Sequence, residues 1–176
     1  MGSSIGVSVV QDASELEYAL DVAFEFDTVL LIEPFIGGVK EYNLAGFSAR
    51  GEMTYSIVEE PQKAEFLDFE KKYLDFSRSS TVAQAHISEA LVQQLKTAFK
   101  AIYSPLFEGA IIRCDFFVIE DEVYLNEVNP IPGSMANYLF EDFQGAVNKL
   151  LGALPTKKEI RVQYDYIHSI ASAKGK

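Results

Sequence analysis

Apolar residues recur along this chain in two rhythms, and the rhythm changes at turn-forming residues. Over Ala110–Ile119 and Val123–Asn129 the period is two, with Ile, Val, Phe and Tyr prominent, which predicts two β-strands. The acidic triplet Glu120-Asp121-Glu122 between them reads as a three-residue hairpin loop. Tyr42–Ala49 and Met53–Glu59 form a second predicted strand pair, around Arg50-Gly51-Glu52. Short apolar runs at Val7–Val10 and Val29–Ile32 predict two further strands. The period lengthens to that of a helix at Ile87, Leu91, Leu95, Ala98, Phe99 and Ile102, giving an amphipathic helix over 87–102. A second helix spans 12–26, with Leu16, Ala19, Leu20, Val22 and Ala23 on its apolar side and Asp12 and Glu15 placed as a capping box. A third is expected around Gln144–Leu151, and the tail from Pro155, with Lys157, Lys158, Lys174 and Lys176, reads as a helix with a frayed end. The fold class this implies is α+β, with mostly antiparallel sheets and packed helices.

The predicted central hairpin carries unusual chemistry. In its expected register Asp115 lies opposite Glu127, and Arg113 lies opposite Asn129. Side chains alternate faces along a strand, so these four polar groups share one face while Ile112, Cys114, Phe116 and Val118 take the other. A solvated sheet face with ordinary cross-strand pairs would account for such a patch. Two carboxylates placed opposite each other repel, however, and a cation relieves that cost. Two carboxylates and an amide oxygen make a hard, all-oxygen set suited to Mg²⁺ shared with substrate phosphates. Arg113 adds a fixed cation suited to a phosphate or a developing oxyanion. The segment Pro130-Ile131-Pro132-Gly133-Ser134 cannot extend the sheet, because two prolines lack donors. It is expected to leave as a shaped loop in which Gly133 lets backbone approach a ligand.

Composition narrows the picture. The chain has 176 residues, 48% of them hydrophobic, with 13 Phe and 9 Tyr, which suits a globular fold with a sizeable core. A formal net charge of −11 argues against nucleic acid as a partner, since that recognition rests on basic surface. A single cysteine excludes an internal disulfide and fits a reducing compartment, and Cys114 is read as packing in the core. The start MGSSIGVSVV shows no secretion signal, no apolar run approaches the length of a membrane span, and the expected location is the cytoplasm. His86 stands without a second His or Cys nearby and is read as a surface residue.

Two segments are open to more than one reading from their residues. Gly2-Ser3-Ser4-Ile5-Gly6 is either a flexible start or a loop whose amides and hydroxyls cradle phosphates. The charged stretch 65–74 is a solvated loop or a short helix on composition alone.

Arg113-x-Asp115 followed by Glu127-x-Asn129-x-x-Pro132-Gly133 resembles the metal and substrate signature of the D-alanine–D-alanine ligases, of the ATP-grasp superfamily. The resemblance runs from Gly2 to about Leu151. It implies an ATP-grasp fold: 1–61 as part of a central subdomain truncated at its N-terminus, 62–154 as a C-terminal subdomain with a mobile loop and the metal site, and 155–176 as a tail. It implies Asp115, Glu127 and Asn129 as ligands of two Mg²⁺ ions, with Mn²⁺ as a substitute. Ser3 and Ser4 would cover the phosphates of ATP, and Glu33, Pro34, Phe35 and Ile36 would hold the adenine. Glu41, one residue further from that hinge than the family places it, would hold the ribose. Lys72, with Tyr73 beside it, falls on the family's mobile loop as the cation for the transferring phosphate. Two of that loop's tyrosines are Leu67 and Phe69 here. Arg113 and the Gly133 N–H would stabilise a tetrahedral oxyanion. Tyr138 stands where the family has a serine that contacts the carboxylate of the second substrate.

The reaction implied is phosphorylation of one D-alanine by ATP and attack on the acylphosphate by the amine of a second, in peptidoglycan precursor synthesis. A homodimeric full-length enzyme is implied as well. The family's N-terminal substrate domain and the lysine strand before its glycine-serine loop have no counterpart here. The chain is therefore expected to be a C-terminal portion, inactive alone, with Gly2–Gly6 and Glu65–Ser80 as its mobile parts. Another ATP-grasp carboxylate–amine ligase, or a nucleotide-binding fragment without turnover, are the alternative readings.

Overall fold

Four strands make one antiparallel sheet, and its two faces have opposite characters. The computed structural model describes residues 6–61 and 84–155, together with 170, 172 and 173. The expectations for Ser3, Ser4, the stretch 65–74 with Lys72 and Tyr73, and most of the tail lie outside the described residues. The chain divides into two units, Met1–Val39 and Lys40–Lys176.

In the first unit, a 3-10 turn at Ala13–Glu15 leads into α1, Leu16–Phe24. Asp12 caps the 3-10 turn by accepting from the Ser14 N–H at 2.8 Å, and Glu15 reaches back to the Gln11 N–H at 3.0 Å. The capping residues are those the sequence indicated, although the reciprocal bond lands one residue earlier. The strands expected at Val7–Val10 and Val29–Ile32 are absent, and both segments run without regular structure. An apolar run becomes a strand only where a neighbour takes its hydrogen bonds. No described segment pairs with either, and Val29, Leu31 and Ile32 are exposed.

The second unit holds the sheet, in the order β2-β1-β3-β4: β1 Lys40–Ala49, β2 Glu52–Glu59, β3 Ile112–Ile119 and β4 Glu122–Asn129. Both hairpins turn over two residues, where the sequence suggested three. Arg50-Gly51 and Glu120-Asp121 carry positive φ at both positions (53° and 83°, 50° and 67°). This backbone matches the twist of the flanking strands better than a longer loop does.

The shorter β3–β4 turn would shift every facing pair by one, but a bulge restores the register before the polar patch. Phe116 pairs with Leu125, whereas Asp115 pairs with Glu127, leaving Asn126 as the extra residue. The bulge also explains how Val123 and Val128, five residues apart, both pack into the same core. A second bulge lies in β2, between the Leu44–Val58 and Gly46–Tyr55 pairs. There the Ser56 hydroxyl accepts from the Ala45 N–H at 2.9 Å and donates to the Ile57 carbonyl at 2.7 Å, so the interrupted ladder keeps its partner.

One face of the sheet is the main core. Tyr42 and Leu44 of β1, Val58 of β2, and Ile112, Cys114 and Phe116 of β3 pack against Leu95, Phe99 and Tyr103 of α2, Glu89–Tyr103. Ser88 caps α2 by accepting from the Leu91 N–H at 3.2 Å. Burial pushes the Cys114 thiol up to about 12, which leaves it a packing group. His86, just before α2, is exposed.

Among the described residues, the other face is covered at one end. Phe47, Ala49 and Ile111 pack under Ala146 and Leu150 of α3, Phe143–Leu151. Ala45 meets Ala136 and Leu139 of a 3-10 segment, Gly133–Leu139. Beyond Ala45 the same face carries Arg113, Asp115, Glu127 and Asn129. Within the 3-10 segment Ser134, Met135 and Ala136 all adopt left-handed φ, 52° to 54°. An L-residue there costs about 1–2 kcal/mol. The Met135 N–H to Pro132 carbonyl bond at 2.8 Å and the burial of Ala136 and Leu139 hold the turn against that cost.

Two outcomes check this packing. Phe99→Ala should destabilise the chain by about 3–5 kcal/mol in urea denaturation. Gly46→Ala, whose added methyl would meet the Thr54 carbonyl at 2.8 Å and the Phe99 ring at 3.1 Å, should destabilise by about 1–3 kcal/mol. The double variant should cost less than the sum, because removing the ring relieves part of the clash. Separately, Ser134→Gly is expected to raise stability by about 1 kcal/mol, since glycine carries no left-handed penalty at this exposed position. An unchanged or lower midpoint would show that the turn is not strained.

Candidate functional site

The polar patch is built by strand parity. On the face away from α2, β1 presents Glu41 and Asn43, β3 presents Arg113 and Asp115, and β4 presents Glu127 and Asn129. The backbone register pairs Asn43 with Asp115, Asp115 with Glu127, and Arg113 with Asn129. The arrangement expected at the polar end of the hairpin is thus present, through a two-residue turn and a bulge instead of a longer loop.

Arg113 grips its own strand neighbour. Its Nε donates to Asp115 Oδ1 at 2.6 Å and its Nη2 to Oδ2 at 2.7 Å, a two-pronged pairing of guanidinium and carboxylate. Its third prong, Nη1, donates to the Tyr138 hydroxyl at 3.0 Å. Asn129 Nδ2 donates to Asp115 Oδ2 at 3.2 Å and to Glu127 Oε1 at 3.1 Å, tying the two carboxylates together. Arg113 and Asp115 are both largely shielded, with 19% and 15% of their side-chain surfaces exposed, so little solvent screens the pair.

The charges bear this out. Burial raises Asp115, the Arg113 bonds pull it back, and Glu127 pushes it up again, so that its net shift is upward. Burial alone would lower Arg113, and the bonds and charge of Asp115 reverse that and raise it. The short forked contact favours both ions, and the excess on Asp115 comes from burial and from Glu127. An upward shift means that ionised Asp115 costs folding nothing below the ordinary carboxylate range. The cost grows as pH rises through its folded value. A bound cation would offset it.

Two residues beside the site, Asn43 and Glu59, were not singled out by sequence. Asn43 sits in register with Asp115, and its Nδ2 donates to Glu59 Oε2 at 2.9 Å, extending the polar row to β2. The signal was available as parity, since Asn43 is two residues from Glu41 on the same strand. Glu41 falls one rung beyond Asn43, paired with Phe117. Gly133 opens the 3-10 segment with ordinary φ, and a methyl added there would meet no atom within 4 Å. Its freedom is therefore not required by the turn, which leaves approach of an outside group as its use. Glu33, Pro34, Phe35 and Ile36 lie exposed in the first unit.

Among the described residues no three His, Cys, Asp or Glu side chains gather as a metal site. The set available is two carboxylates and one amide oxygen. Such a set leaves several positions of an octahedron for other oxygens, as Mg²⁺ held with phosphates requires. The opposed carboxylates, Asp115 half-buried and Glu127 exposed, fit a divalent cation. No helix of the described residues is long and apolar enough to cross a membrane.

Comparison with known proteins gives this geometry its context. Residues 1–144 match the family model described as D-ala D-ala ligase C-terminus. The D-alanine–D-alanine ligase of Sulfurovum sp. (strain NBC37-1) is 65% identical over 176 residues, all of this chain and 51% of its own length. That of Sulfurimonas denitrificans is 63% identical over the same span, again 51% of its length. The crystal structure of D-alanine–D-alanine ligase from Helicobacter pylori superposes with a TM-score of 0.75 at 52% identity, covering 90% of this chain and 44% of that one. The chain thus spans about half the length of the curated relatives it matches. With an α+β fold of ATP-grasp type and this identity along its whole length, the chain belongs to the D-alanine–D-alanine ligase family, whose C-terminal part it matches.

Proposed function

We propose that this chain supplies the nucleotide- and metal-binding part of an ATP-dependent D-alanine–D-alanine ligase working in the cytoplasm as a homodimer. The observation that carries the reading is the pair of opposed carboxylates, Asp115 and Glu127, bridged by Asn129 and flanked by the forked Arg113. Two like charges in register are destabilising, Arg113 offsets one of them, and family membership supplies the reason for a further cation at the other.

Asp115, Glu127 and Asn129 would hold two Mg²⁺ ions, or Mn²⁺ in their place. These ions supply charge neutralisation and Lewis acidity at the phosphates of ATP. The chain's own residues do the positioning. Arg113, with its charge fixed at any working pH, and the N–H of Gly133 would stabilise the oxyanion formed when the amine of one D-alanine attacks the acylphosphate of another. Gly133 suits this because its Cα face is open. Tyr138 would orient the carboxylate of the second D-alanine through its hydroxyl. Glu33, Pro34, Phe35 and Ile36 would hold the adenine, Glu41 the ribose, Ser3 and Ser4 the phosphates, and Lys72 the phosphoryl group in transfer.

Calorimetry with a non-hydrolysable ATP analogue tests this. Binding is expected with Mg²⁺ and should weaken by about tenfold or more in its absence. Asp115→Asn and Glu127→Gln should each abolish most of that Mg²⁺ dependence, with Glu127→Gln leaving the melting temperature close to that of the parent chain. Nucleotide affinity that is indifferent to Mg²⁺ in the parent chain would overturn the reading.

A further inference from the structure

Every oxygen of Asp115 already accepts a hydrogen bond, and Oδ2 accepts two, from Arg113 and from Asn129. Asn129 points its Nδ2 at both carboxylates, although as a metal ligand it must offer its oxygen. The arrangement is therefore that of a site neutralised by its own side chains. Three of the four acceptor sites of Asp115 are thus filled; a divalent cation that chelates both of its oxygens displaces the guanidinium fork from them, and Asn129 joins it only with its amide turned over. The third prong of Arg113 is independent of this exchange, because it is held by Tyr138 on a different segment.

We propose that Arg113 is the resident counter-ion of Asp115, that a divalent cation takes its place, and that Tyr138 retains the displaced guanidinium at the site. Binding of the cation thereby converts Arg113 from a partner of the metal ligand into a free receptor for a carboxylate or phosphate oxygen. This rests on the metal site proposed above and adds an order to it: the cation must arrive before Arg113 can serve an anion. It also gives Tyr138 a role as the pivot of Arg113, a positioning role distinct from contact with substrate. The geometry explains why an arginine suits the position. Only a planar fork with five donors can hold Asp115 by two prongs and Tyr138 by a third. A lysine would keep the charge but not the grip.

The test is nuclear magnetic resonance of the whole chain, labelled with ¹⁵N at arginine side chains and backbone. The Nε–H signal of Arg113, assigned by its loss in Arg113→Lys, is read during Mg²⁺ titration alongside the backbone amides of Asp115 and Glu127. The expected result is that the Nε–H signal moves and loses its protection from solvent exchange in step with the amide shifts. In Tyr138→Phe the same titration should leave the guanidinium rotating freely once Mg²⁺ is bound. Mn²⁺ affinity, read by electron paramagnetic resonance, should rise roughly tenfold in Arg113→Lys, which keeps the charge but gives up the charge-assisted fork. Amide shifts on Mg²⁺ binding with an unmoved Nε–H signal, or an unchanged Mn²⁺ affinity in Arg113→Lys, would overturn the exchange while leaving the metal site standing. If the amides of Asp115 and Glu127 do not respond to Mg²⁺ at all, the metal site and the exchange fall together.

Discussion

Two carboxylates held opposite each other on neighbouring strands are the constraint around which this unit is arranged. In an isolated hairpin Asp115 and Glu127 would repel, and the pairing would drift toward a register that separates them. Here the register is fixed from the other face. Ile112, Cys114 and Phe116 are fully buried under α2, together with Tyr42 and Leu44 of the next strand. Slipping β3 by one residue would place its three side chains in water and Asp115 in the core, and slipping β4 would do the same to Val128 and Glu127. The free energy of apolar burial, about 25 cal/mol per Å², is thus what holds the acidic pair in place. The face that carries the candidate site is positioned by the face packed in the core.

The covered end of that same face plays the complementary part. Ala45 is small and fully buried, and it marks the boundary where the 3-10 segment stops and the polar rows begin. A larger residue at Ala45 would push Ala136 and Leu139 away, and with them Tyr138, which reaches back to Arg113. The left-handed turn at Ser134–Ala136 lets so short a segment bring both a buried anchor and a hydroxyl to the site. Strain at such a point is commonly retained where geometry matters more than stability.

Much of this was legible in the sequence, and the limits have physical causes. The helices, the four paired strands and the shared face of Arg113, Asp115, Glu127 and Asn129 follow from periodicity alone, because burial imposes it. The turn lengths did not, since glutamate and aspartate at Glu120 and Asp121 do not announce a left-handed pair as glycine or asparagine would. The bulge at Asn126 was equally silent, and the correct pairing at the site came through two offsetting errors. Val7–Val10 and Val29–Ile32 have the composition of strands, but composition does not say whether a partner is at hand. Asn43 lies on a strand far from the hairpin in sequence, so only the β1–β3 register brings it beside Asp115. The roles given to Ser3, Ser4 and Lys72 came from family likeness and lie outside the described residues.

The bulge at Asn126 also divides β4 into two reading frames. Toward the turn, odd-numbered residues such as Val123 face the core. Past the bulge, odd-numbered residues such as Glu127 and Asn129 face the site, while Val128 has taken over the core side. Loss of Asn126 itself would merge the frames without disturbing a single facing pair, so the hairpin tip is free to drift in length at that one point. Loss of Val128 would carry Asn129 to the helix side, and the chain has no second bulge downstream in β4 to recover. Loss of a residue is therefore tolerated at Asn126 itself and disruptive at the paired positions on either side of it, a distinction drawn by one unpaired residue.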